Sequence, residues 1–159
     1  MPNEKRQWQP REMRLVSEFL AKHYSNYETR TRVRLGAIHP ELHPETLSES
    51  EKAMVGVFRR WADAIVIMPD RLIIIEAAIR PSPGDISQIE LYEHLIPLTP
   101  ELDEFRSLPI EKVLVFALED PVVVAMARER GIRAIYFKPP WIDDYLAILY
   151  PRERRATLT

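Results

Sequence analysis

A chain of 159 residues, 46% hydrophobic and 29% charged, is long enough for one domain with a core of its own. Its 22 Lys and Arg against 24 Asp and Glu give a formal net charge of -2, which argues against a protein that coats nucleic acid with its whole surface. Cysteine is absent, excluding disulfides, thiolate zinc centres and cysteine nucleophiles, and no segment reaches the roughly 18 consecutive apolar residues of a membrane span. The polar start "MPNEKRQWQP" has no apolar signal core. A cytoplasmic protein without membrane contact is expected, or one of a virion or host cytoplasm were the source viral.

No internal repeat is visible, so residues 1–150 read as a single domain, with "PRERRATLT" (151–159) as a flexible basic tail. In "REMRLVSEFLAKHY" the residues Met13, Val16, Leu20 and Tyr24 recur at helical spacing. "TRVRLG" alternates and stops at Gly36, the pattern of a short strand. The two prolines of "HPELHPETL" make a loop, and "SESE" from Ser48 opens a helix running to roughly Arg60. Two apolar runs, "ADAIVIM" and "RLIIIEAAI", flank Pro69-Asp70, which predicts an antiparallel hairpin.

After "RPSPGD" the stretch "ISQIELYEHLIPL" reads as a helix capped by Asp85. The strand "KVLVFAL", the helix "PVVVAMARERG", the strand "RAIYF" and the helix "WIDDYLAILY" follow. The expected class is α/β, a mixed sheet of about five strands flanked by helices, with an antiparallel meander feeding right-handed crossovers.

A strand repeats every two residues, so Glu76, Ala78 and Arg80 share one face. Asp63 and Glu76 lie about equally far from the Pro69-Asp70 turn, which sets them opposite each other. Facing carboxylates repel unless a hard cation such as Mg²⁺ joins them. The plain alternatives are an Asp63 carboxylate bonded to a nearby backbone N–H and a Glu76 paired with Arg80 or another arginine.

The segment "RRWADAIVIMPDRLIIIEAAIRPSPGDISQIELY" resembles the core of the PD-(D/E)XK nuclease superfamily, with its restriction-endonuclease-like fold. Asp63 matches the aspartate opening one strand, Glu76 the acidic residue of the next, Gln88 the glutamine of the following helix, and Glu18 the extra first-helix carboxylate. The literal "PD" at Pro69-Asp70 falls in the turn. The resemblance implies Mg²⁺, or Mn²⁺, on Asp63, Glu76 and the Ala77 carbonyl, with DNA as the substrate. It also exposes a departure, since Ala78 occupies the lysine position and supplies neither a cation nor a proton-transfer partner. Arg59, Arg60, Arg71 and Arg80 are candidates for DNA phosphates or form a solvated basic rim.

Zinc finds little support, because the prolines around His39 and His43 deny a helical ligand pair. His23 and His94 read as ordinary helix residues. The aromatic residues of "PPWIDDYLAILY" fit packing on the sheet better than stacking on bases. Two functions compete: a metal-dependent DNA endonuclease impaired at Ala78, and a non-catalytic assembly or connector protein, a homo-oligomer or a DNA-end binding module on the same fold.

Overall fold

The computed structural model describes residues 10–36, 48–49 and 60–149. The loop with His39 and His43, nearly all of the helix expected from Ser48, Arg59 and the C-terminal tail lie outside the described residues. So does the side chain of Arg60.

Helix α1, Pro10–His23, buries Leu15, Val16, Phe19 and Leu20 along one stripe, as its periodicity requires. Strand β1, Glu28–Leu35, begins three residues earlier than expected, because its polar, exposed start leaves no hydrophobic alternation to read. Strands β2, Arg60–Ile67, and β3, Leu72–Ala78, form the predicted hairpin. Helix α2, Pro83–Leu95, gives way around Pro97 to a 3-10 turn, Ile96–Leu98, where the expected helix continued through Leu98, and a second 3-10 turn, Pro100–Phe105, follows. A proline at that point removes the N–H that would continue an α-helix. Strand β4, Ile110–Phe116, helix α3, Pro121–Glu129, strand β5, Ile132–Tyr136, and helix α4, Trp141–Leu149, complete the order. Gly131 follows α3 at φ 73°, the left-handed position where glycine ends a helix without strain.

The sheet runs β1-β2-β3-β4-β5. Its first three strands are antiparallel, and β3, β4 and β5 are parallel, so helices must carry the crossovers. The central strand β3 is buried along its whole length, which is why it reads as a near-continuous apolar run. Ile73, Ile75 and Ala77 pack with Leu15, Phe19 and Ile142. Leu72 and Ile74 pack with Tyr92, Ile96 and Leu102 on the other face. Each isoleucine so enclosed contributes roughly 1.5–3 kcal/mol by leaving water.

The β1–β2 ladder is interrupted once. Thr31 pairs with Ala64 and Val33 with Ala62, but the pair between them, Arg32 with Asp63, is missing. Arg32 has φ 52°, a left-handed conformation that disfavours residues with a Cβ. Ala62 and Ile65 both belong to the cluster around Ile74 and Tyr92, although strict alternation would put them on opposite faces. The local twist thus falls at Asp63.

Past Arg32 the edge strand is tied back to the body of the domain. The Oγ1 of Thr99, a fully buried residue, accepts from the Gly36 N–H at 2.9 Å and donates to the Leu95 carbonyl at 2.8 Å.

Candidate active site

The regular β2–β3 pairs end at Ala64 with Ile75, and the next position in that register sets Asp63 opposite Glu76. There a side chain replaces the backbone acceptor: Asp63 Oδ2 accepts a hydrogen bond from the Ala77 N–H at 2.8 Å. The bond orients the Asp63 carboxylate beside Glu76. Burial pushes the Asp63 carboxyl up to about 6, opposed by this bond and reinforced by Asp85.

Glu76 is 7% exposed, and its Oε2 has no hydrogen-bond partner. Burial, then Asp63, Asp85 and Glu12, hold its carboxyl well above the usual carboxylate range. The Tyr92 hydroxyl lies within hydrogen-bonding reach of Glu76 but donates its single proton to the Trp61 carbonyl at 2.9 Å. Donation of that proton to Glu76 instead would favour the carboxylate, against the effect of burial.

Two further carboxylates act on the pair through their charge. Asp85 is the third residue of α2 rather than its cap. The cap is Ser82, whose N–H and Oγ donate to Asp85 Oδ2 at 2.7 and 3.1 Å, an arrangement that satisfies an orphan donor at the helix start. Glu12, in the first turn of α1, is raised to about 7 by burial, then by Asp63 and Asp85.

Glu18, the expected first-helix carboxylate, stands elsewhere: it accepts from Trp141 Nε1 at 2.6 Å and pairs with Arg14 at 3.4 Å. The sequence did carry the signal for Glu12, which precedes Leu15 and Val16 by three and four residues and so falls in line with the buried stripe. Asp85, expected only as a cap, and Tyr92, not singled out in the sequence, were also missed as site residues.

The remaining candidates are dispersed. Ala78 is 4% exposed and shares a strand face with Glu76. Gln88 lies exposed on α2, one turn beyond Asp85. Arg80 is exposed just past β3. Arg71 is at the far end of the hairpin, five residues or about 16 Å of strand from Glu76, with its Nε 2.9 Å from Glu111 Oε2. It cannot serve the carboxylates. His23 packs on Phe19 with ring centroids 4.6 Å apart, and His94 is exposed. Trp141 and Tyr145 pack against the core around Leu15 and Ile142, in line with the packing role expected for that helix.

Among the described residues no three His, Asp or Glu side chains approach closely enough to enclose one ion. The donors nevertheless fit Mg²⁺, which keeps much of its water and takes one or two carboxylates. Asp63 and Glu76 are such a pair, and the unpartnered Glu76 Oε2 is the buried oxygen a cation would satisfy.

These features define an α/β domain with a mixed five-stranded sheet flanked by helices and buried carboxylates where its central hairpin ends. No family model matches the chain, and no curated protein matches it in sequence. Two similar solved structures have TM-scores of 0.45 and 12% identity. One is a protein of unknown function, with 77% of this chain and 54% of the other aligned. The second is a repair endonuclease from Pyrococcus abyssi, with 84% and 49% aligned. The chain spans about half the length of each. Among the described residues no helix is long and apolar enough to cross a membrane.

Proposed function

We propose that this chain carries a metal-dependent DNA endonuclease-type site for phosphodiester hydrolysis, impaired in this form because Ala78 stands at the lysine position. The observation that carries the reading is the unpartnered Oε2 of Glu76, 7% exposed and next to the Ala77 N–H that Asp63 accepts. An isolated buried carboxylate is expensive, and a divalent cation relieves that cost. Asp63, Glu76 and the Ala77 carbonyl would hold Mg²⁺ or Mn²⁺. When bound, the ion would polarise a phosphate oxygen and acidify a water.

The chain's own residues supply the rest. The Ala77 N–H aims Asp63, and the Tyr92 hydroxyl stands within hydrogen-bonding reach of Glu76. Arg80, exposed at the end of β3, would offer charge to a phosphate, although a guanidinium is too basic to accept a proton. Calorimetric titration with Mn²⁺ is expected to show saturable binding that Glu76→Gln removes. Equal heats from both proteins would overturn the metal site.

The buried methyl group of Ala78 favours a second reading, in which the domain keeps the fold without the chemistry and serves as an assembly subunit or DNA-end binding module. In that case metal binding persists or fails with no cleavage of plasmid, linear or branched DNA.

A further inference from the structure

We infer that Trp61, with Arg32 and Arg34 of the sheet edge, forms a binding subsite for an unpaired stretch of DNA beside the carboxylate cluster. Trp61 is 55% exposed, an unusual position for an indole on a sheet. Its backbone is fixed by the Tyr92 hydroxyl at 2.9 Å, and Arg34 is its direct partner across β1–β2. The guanidinium carbons of Arg32 and Arg34 lie 5.8 and 5.7 Å from the centroid of that one ring.

An exposed indole flanked by two guanidiniums can take a base on its π face and the adjoining phosphates by charge. A base inside a duplex has no free face to offer, so an unpaired strand is the occupant this chemistry selects. Arginines on an edge strand also discourage sheet-to-sheet aggregation. That role explains the charges, but a large exposed apolar ring works against it. Nor does it explain why arginine holds a left-handed backbone, φ 52°, that glycine would hold more cheaply. Trp61 precedes Asp63 by two residues, so the subsite belongs to the strand that carries Asp63.

The inference rests on the nucleic-acid reading of that site, but its test is run in EDTA, so failure of the metal site and failure of the subsite are told apart. Anisotropy of labelled oligothymidylate and of a blunt duplex is measured at two salt concentrations. Trp61→Ala is expected to weaken single-strand binding about tenfold and leave the duplex little changed, and Trp61→Phe to retain most of the affinity. Arg32→Ala with Arg34→Ala should lower the salt slope by about 0.7 per lost phosphate contact. Because Trp61 is exposed, an unchanged thermal melt will show that these variants fold, and Trp61→Phe keeps the stacking claim testable if the alanine variant does not. Wild-type affinity in Trp61→Ala, equal losses on both DNAs, or no oligonucleotide binding at low salt would overturn the subsite. The last result would mark the patch as a protein-contacting surface.

Discussion

Asp63 stands one step beyond the last regular β2–β3 pair, Ala64 with Ile75, and its Oδ2 accepts the N–H of Ala77, the residue that follows Glu76. One carboxylate is therefore held in place by the backbone that carries the other. Moving either changes both, and each prediction about the site tests that coupling in a different way.

The first concerns pH. Glu12 at about 7 and Asp63 at about 6 stand above their ordinary values of 4.5 and 3.8. Such groups bind protons more tightly in the folded chain than in the unfolded one. Their contribution to stability is complete below the ordinary values and is lost as pH rises through the raised ones. In EDTA the melting temperature is expected to fall as pH climbs from the ordinary carboxylate range to about 7. Glu12→Gln and Asp63→Asn should each flatten the fall, and Mn²⁺ should reverse it at neutral pH. A wild-type profile that rises over this range would sink the argument.

The second concerns the missing cation. Position 78 shares the strand face of Glu76, so Ala78→Lys would bring an ammonium towards that carboxylate. A positioned proton-transfer partner is worth about 10²-fold or more, and plasmid nicking with Mg²⁺ or Mn²⁺ should rise by that factor. Adding Glu76→Gln to the variant should abolish the gain. If Ala78→Lys stays inert on plasmid, linear and branched DNA, the non-catalytic reading is preferred.

Tyr92 offers a test of the site's support. Tyr92→Phe keeps the ring among Ile74 and Ile96 but removes the donor to the Trp61 carbonyl. Leaving that carbonyl without its partner should cost about 1–3 kcal/mol, read as a shift in the urea midpoint at constant slope. A change below a few tenths of a kcal/mol would mean that water replaces the hydroxyl.

Arg32 separates backbone strain from side-chain function. At φ 52° a residue with a Cβ costs about 1 kcal/mol relative to glycine. Arg32→Gly is therefore expected to be more stable than Arg32→Ala by about that amount, while both lose the same affinity for a single strand. Equal stabilities would show that the strand relaxes once the guanidinium is gone.

The hairpin was legible in the sequence because β-branched runs either side of Pro69-Asp70 leave few other ways to pair, and the same symmetry set Asp63 opposite Glu76. Two kinds of feature were not legible. Glu12 and Glu18 are both helix glutamates, and choosing between them requires knowing which end of α1 meets the end of β3. Arg32 sits in an alternating polar strand where nothing local signals a break, since the strain is imposed by pairing with β2. The placement of Arg71 failed for a related reason: closeness along the chain does not overcome the length of an extended strand.

The contiguity of the hairpin and α2 also sets an order in time. Asp63, Glu76 and Asp85 come from one unbroken segment, whereas β4 joins β3, and β5 joins β4, only through long parallel crossovers. Short loops close at less entropic cost than long ones, and local pairings form sooner. Three of the four clustered carboxylates would meet while the sheet is still half built, and their mutual repulsion would act on the folding chain before the remaining strands bury them. Pulse-labelled hydrogen exchange during refolding is expected to protect the β2–β3 amides ahead of those of β5, and the lag between them should shorten at acid pH, where the carboxylates are neutral.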